Sequence, residues 1–188
     1  MICHCGIVLH DTATIPLDNS RSNEYCPPVP SVIAGSLKQH TAFSSGEQEV
    51  LLGIRIAAAR LTEPWEKFLK TEADLTPNQY NVLRILRGSH PTRLPSGEIA
   101  ERMISRDPDV TRLVDRLSRR GLVSRVRGRQ DRRVVEVGIT DKGREVLKSL
   151  DSHVDRMPRA MIGHLGPRKL EQLRHLLEAL IADLGTFP

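Results

Sequence analysis

At 188 residues the chain has room for one ordinary domain with an attachment, or for two very small domains. Its 39% hydrophobic and 27% charged residues argue against a wholly disordered chain, and no uncharged apolar run approaches the roughly 18–20 residues that span a bilayer. Aromatic residues are 3%, too few to build the stacking platform of a single-strand binder, and the net charge of +5 matters less for its size than for where it sits.

Residues 1–46 are rich in Asp, Thr, Asn, Ser, Gly and Pro, hold the non-helical run Cys26-Pro27-Pro28-Val29-Pro30 and keep no period. They are expected to form an N-terminal extension with little fixed structure. The start Met1-Ile2-Cys3-His4-Cys5 lacks the basic leader segment of a secretory signal, which makes the cytoplasm the expected compartment. Helical periodicity begins near Glu47, where Leu51, Ile54, Ala58, Leu61, Trp65 and Phe68 form one stripe. Pro64 either kinks this helix or lies in the first turn of a new one capped by Thr62. Thr76-Pro77 opens a second helix carrying Tyr80, Val82, Leu83, Ile85 and Leu86 and ending near Gly88.

After a loop marked by His90-Pro91 and Pro95, Ser96 is expected to cap a short helix from Gly97 to Ile104 that buries Ile99, Ala100 and Met103. Asp107-Pro108 repeats the cap-then-proline signature for a fourth helix, which runs to Arg120 and is closed by Gly121. Two strands, Leu122–Val126 and Val134–Ile139, flank a polar hairpin tip. Thr140-Asp141 caps a fifth helix ending before Pro158. Gly166-Pro167 opens a last one with Leu170, Leu173, Leu177, Leu180 and Leu184 spaced 3, 4, 3 and 4, a seam with no partner evident. The fold class is therefore mainly α with a small β-hairpin: a helix-turn-helix followed by a wing, plus flanking helices.

The charge concentrates in this middle part. Residues 93–133 carry 12 basic and 6 acidic side chains, against 2 and 3 in residues 1–46, 6 and 6 in 47–92, and 8 and 8 in 134–188. All twelve are arginine. Such a field suits a polyanion, whether nucleic acid, an acidic protein or an anionic membrane surface, although a solvated basic face has the same composition. On the fourth helix Val110, Leu113, Val114 and Leu117 make an apolar stripe, while Asp109, Arg112, Arg116 and Arg119 share a roughly opposite face. A recognition helix needs both, one to seat it and one to enter the major groove, yet an ordinary amphipathic helix also has both. The hairpin tip adds Arg127, Arg129 and Arg132, a like-charge cluster that becomes favourable beside the minor groove. Asp131 either orients a neighbouring guanidinium or is a hydrogen-bonded turn residue.

From about Leu75 to Thr140 the chain resembles the MarR family of bacterial winged helix-turn-helix regulators. The resemblance is carried by the run Asp109 to Leu117, by Arg120-Gly121-Leu122-Val123, by Asp131-Arg132-Arg133 and by Val137 to Gly143. It weakens through the flanking helices to about residue 185 and does not reach residues 1–46, and Pro64 is unusual for the family's first helix. It implies a winged helix-turn-helix DNA-binding domain over 75–140, with dimerisation helices over 47–74 and 141–188. It also implies a homodimer on pseudo-palindromic double-stranded DNA, acting as a repressor that a small ligand or stress signal releases. By position, Asp109, Thr111, Arg112 and Arg116 would meet the major groove. Arg127 and Arg129 would meet the minor groove or backbone, and Asp131 with Arg133 would be the wing-stabilising, DNA-contacting pair. The leucines at 170, 173, 177, 180 and 184 would lie in the dimer interface.

Trp65, Phe68 and Tyr80 are candidates to line a ligand crevice, with plain core packing as the alternative. Cys26 is the nearest counterpart of the oxidant-sensing N-terminal cysteines of some family members, though it has no evident base beside it. Cys3-His4-Cys5 lacks zinc-site spacing, and His153, His164 and His175, eleven apart, are separated by Pro158, Gly163 and Gly166-Pro167 and are expected at the surface. No metal or cofactor is expected, and no G-x-S-x-G, H-E-x-x-H or P-loop pattern points to an enzyme. The competing reading is a winged-helix protein-interaction module without sequence-specific DNA binding.

Overall fold

The computed structural model describes residues 31–104, 109–128 and 134–184. The chain divides into two compact units, residues 1–56 and 57–188. In the first, the Ser31 hydroxyl accepts the Ala34 N–H at 3.1 Å and caps a one-turn helix, α1 (Val32–Ser36). A Cβ at Gly53 would come within 2.7 Å of Ile33 Cδ1, and Phe43 is buried. Residues 31–45 thus have defined structure where their composition suggested little, because a Ser cap directly after Pro30 starts a helix that is too short to show a period.

Helix α2 (Gly46–Ala73) runs unbroken for 28 residues from the first unit into the second, with Pro64 inside it. Thr62 caps nothing: the helix gives up the one backbone bond that Pro64 cannot donate and continues. In the second unit, α3 (Pro77–Ser89) opens with a full capping box, Thr76 Oγ1 accepting from Gln79 N and Gln79 Oε1 from Thr76 N. Strand β1 (Leu94–Pro95) leads into α4 (Ser96–Glu101), whose N-cap is Pro95 with no side-chain bond, so Ser96 is the first helical residue rather than the cap.

Helix α5 (Val110–Arg119) is followed by strands β2 (Val123–Arg127) and β3 (Val135–Ile139). These pair antiparallel from Val123↔Ile139 to Arg127↔Val135, and β1 joins the other edge of β3 through Leu94↔Val137. The sheet is therefore three-stranded, in the order β1-β3-β2, rather than a bare hairpin. The third strand escapes sequence reasoning because it is two residues long and contains a proline, tolerated at an edge. Helix α6 (Asp141–Ile162) passes through Pro158 instead of stopping before it, and a 3₁₀ turn at Gly163–Leu165 leads into α7 (Gly166–Leu184). His153, His164 and His175 fall on three separate elements.

The core of the second unit joins Leu69 and Leu75 to Val82, Leu83 and Leu86 of α3, Ile99 of α4, Val114 and Leu117 of α5, Leu122, Val137 of β3, and Leu147 and Leu150 of α6. Each of these side chains is essentially inaccessible to water, and burial of one Leu contributes about 1.5–3 kcal/mol. The outcome is that α5 is seated firmly along one face, which positions everything that follows.

Candidate nucleic-acid interface

Helix α5 buries Val110, Leu113, Val114 and Leu117 and leaves Thr111, Arg112, Arg116 and Arg119 exposed. The spacing of the four apolar residues forces this division, since a 3.6-residue period puts them on one side. Its start differs from the expected one. Asp109, not Asp107, is the N-cap: its carboxylate accepts the Arg112 N–H at 3.0 Å and pairs with Arg112 Nε at 2.7 Å. Asp109 is thus committed to the helix end, and it orients Arg112 where that guanidinium leaves the first turn. Arg116 and Arg119 make no ion pair among the described residues. Replacing Asp109 by Ala should lower stability by about 1 kcal/mol in urea unfolding, whereas Asn should preserve most of the cap and lose only the ion pair. Equal losses for both would contradict the capping role.

The wing's base is tied to α5 by a contact that sequence spacing does not reveal: Asp115 on α5 forms an ion pair with Arg125 on β2. Arg93 adds a second brace, donating to the Ser124 carbonyl at 3.3 Å and to Ser124 Oγ at 3.0 Å across the sheet. At the outer end Gly128 N–H donates to Val134 O at 2.8 Å, and Arg127 is exposed beside it. Arg129, Asp131, Arg132 and Arg133 lie outside the described residues, as do Cys3, Cys5 and Cys26. The junction behind the wing is dense. Thr140 Oγ1 donates to Gly121 O at 2.8 Å and accepts from Gly143 N at 3.1 Å. Thr140 N donates to Leu122 O at 3.1 Å, and Lys142 Nζ to Arg120 O at 3.0 Å. Gly121, at φ +71°, makes the left-handed turn that ends α5.

Of the three aromatic candidates for a ligand crevice, Tyr80 is a core residue whose burial pushes its phenol up from the usual range. Trp65 packs edge-on against it at 4.9 Å and stacks on Phe68 at 5.7 Å. Phe68 in turn stacks on His153 at 3.8 Å, so His153 packs against the aromatic cluster instead of standing at the surface. Only Trp65 of the three reaches an apolar groove of about 350 Å³, between Leu61 and Thr62 of α2 and Val154, Met157, Pro158 and Met161 of α6. On α7 no residue is buried: Leu170 is half-covered, and Leu173, Leu177, Leu180 and Leu184 are exposed. Among the described residues no helix is long and apolar enough to cross a membrane, and no cluster of three His, Cys, Asp or Glu could hold a metal.

Comparison with known proteins agrees with this geometry. The MarR family model matches residues 75–135. The homoprotocatechuate degradative operon repressor of Escherichia coli is 28% identical over 109 residues, 58% of this chain and 72% of that protein. The MarR transcription factor of Planctomyces limnophilus is 39% identical over 73% of this chain and 99% of its own, with a TM-score of 0.56. Sco3205 of Streptomyces coelicolor, a MarR family regulator solved in complex with DNA, is 26% identical over 79% and 93%, with a TM-score of 0.68.

Proposed function

Because the chain belongs to the MarR family of transcription regulators, whose members bind DNA and are not enzymes, we propose that it works as a homodimeric repressor on a pseudo-palindromic operator and is released by a small ligand or stress signal. The observation that carries the reading is α5, with its apolar side wholly seated in the core and its other side presenting Thr111, Arg112, Arg116 and Arg119 to solvent. Arg112 and Arg116 read base edges, Arg119 and Arg127 serve the backbone or minor groove, and Arg129, Arg132 and Arg133 complete the wing with Asp131 as its stabilising acid.

The second copy is supported by α7. An exposed row of leucines along a 19-residue helix is unfavourable in water unless another apolar surface covers it. A two-fold pair would place its readers about 34 Å apart, one duplex turn, which is why the operator is taken to be pseudo-palindromic. The apolar groove beside Trp65 suits a small apolar ligand. Repression follows the similarity to the operon repressor named above.

Selection of duplex from random fragments, followed by anisotropy titration, tests the reading. A pseudo-palindromic site bound by two chains, not stripped by excess nonspecific DNA, is the expected result. No duplex binding at low salt would overturn it, and capture of an acidic protein partner would then favour an interaction module. Charged substitutions in the leucine row, Leu177→Glu with Leu180→Glu, should yield monomers by sedimentation and weaken operator binding at least about tenfold. A dimer that survives both would remove α7 from the interface.

A further inference from the structure

Where the end of α2, the start of α3 and the last turns of α5 meet, there is a cavity of about 360 Å³ lined by Lys70, Gln79, Arg116, Arg119 and Arg120, with Asp74 as its one carboxylate. Asp74 is already engaged. Lys70 pairs with it from one helical turn away, and Arg120, 3.9 Å from it, also donates to the Ala73 and Asp74 carbonyls. Four cationic side chains against one acid leave three positive charges uncompensated at the rim, and Arg116 and Arg119 make no ion pair among the described residues.

Gln79 adds an independent sign. It is only 7% exposed, and its Oε1 accepts the Thr76 N–H at 3.0 Å. Its amide nitrogen donates to nothing among the described residues, yet no buried side-chain nitrogen or oxygen there lacks a partner. The nitrogen therefore keeps some accessibility, and Gln79 is one of the residues that line the cavity. A concave site with an amide donor, the Arg119 guanidinium, which makes no ion pair among the described residues, and surplus positive charge matches a compact oxyanion whose oxygens accept several hydrogen bonds at once.

We propose that this corner is a phosphate-binding pocket. Its phosphate has two possible sources. One is a backbone phosphate of the duplex lying against α5, which rests on the DNA-binding reading above. The other is a free phosphorylated small molecule, which would compete with the duplex for Arg116 and Arg119.

The test uses the full chain with Lys70→Gln and Gln79→Glu, both outside α5. Lys70 is mostly exposed, and Glu at position 79 retains the capping box while placing a negative charge in the pocket. Far-UV circular dichroism checks that both variants fold. Two measurements follow: calorimetric titration with pyrophosphate at low salt, and the slope of log affinity against log salt for a duplex. If a DNA phosphate occupies the pocket, each variant lowers that slope by about one, equally on specific and random duplex. If a free ligand occupies it, the wild type binds pyrophosphate, both variants weaken that binding at least about tenfold, and the duplex slope stays unchanged. Duplex binding by the wild type with unchanged slopes, and with pyrophosphate binding absent or insensitive to both variants, overturns the pocket and leaves the DNA reading standing. A wild type that binds no duplex removes that reading instead, and the pyrophosphate arm alone then decides the pocket.

Discussion

Alanine in place of Gly143 is expected to be the most damaging single-methyl change in the second unit. A Cβ there would lie 2.2 Å from the Leu122 carbonyl oxygen and 2.9 Å from Ile139 Cγ1. The oxygen is backbone, and it accepts the Thr140 N–H, so it cannot retreat without opening the junction between β2 and α6. The cost should be about 3 kcal/mol or more, the range of overpacked or broken junctions. At about 2–4 °C per kcal/mol for a chain of this size, Tm should fall by about 10 °C at fixed protein concentration. Gly121 supplies the contrast. Nothing lies within 4 Å of its added Cβ, so alanine there bears only the left-handed backbone penalty of about 1–2 kcal/mol. If Gly143→Ala melted no lower than Gly121→Ala, the contact with Leu122 would not be the determinant.

Arg112→Ala and Arg116→Ala should each weaken operator binding by about 1–3 kcal/mol and relax base preference, while thermal stability changes little because both side chains are exposed. Lysine at either position retains the charge but not the two-pronged donor, so affinity for random duplex should survive while discrimination falls. Since Asp109 orients Arg112, removing both groups should cost less than the sum of the single losses. Competition titrations on specific and random duplex measure all of this. Losses equal on both duplexes would mean that neither arginine reads bases, and additive losses for the Asp109 and Arg112 pair would mean that Asp109 does not orient Arg112.

How much of this was legible from the sequence depended on the range of the interaction. Thr76 and Thr140 announced their helices because a cap acts within three residues and the signature is complete in the local sequence. The same logic misplaced the start of α5, where two Asp residues two apart both fit a cap and the local sequence does not choose between them; Asp109 is the cap. Pro64 and Pro158 looked like breaks because an interior proline costs a helix about 3 kcal/mol, yet the helices of 28 and 22 residues continue through them, so the rest of each helix offsets a cost that local propensity alone counts as decisive. The arginine face of α5 was readable from its period. The contacts that brace it were not: Asp115 with Arg125, Arg93 with Ser124 and Arg120 with Ala73 join residues 10, 31 and 47 apart, which no spacing rule connects. For the same reason the phosphate-binding corner was invisible until three helices converged on it.

The hydrogen bonds around Thr140 also bear on leverage. That residue holds the turn after α5, Leu122 just ahead of β2 and the first turn of α6 in one knot, with Gly143 leaving no slack between them. The arginine-bearing helix and the root of α6 therefore move as a hand and forearm without a wrist. In a two-fold pair, a few degrees of tilt along the 22 residues of α6 would swing the reading helices apart by ångströms while their own internal geometry stayed as it is.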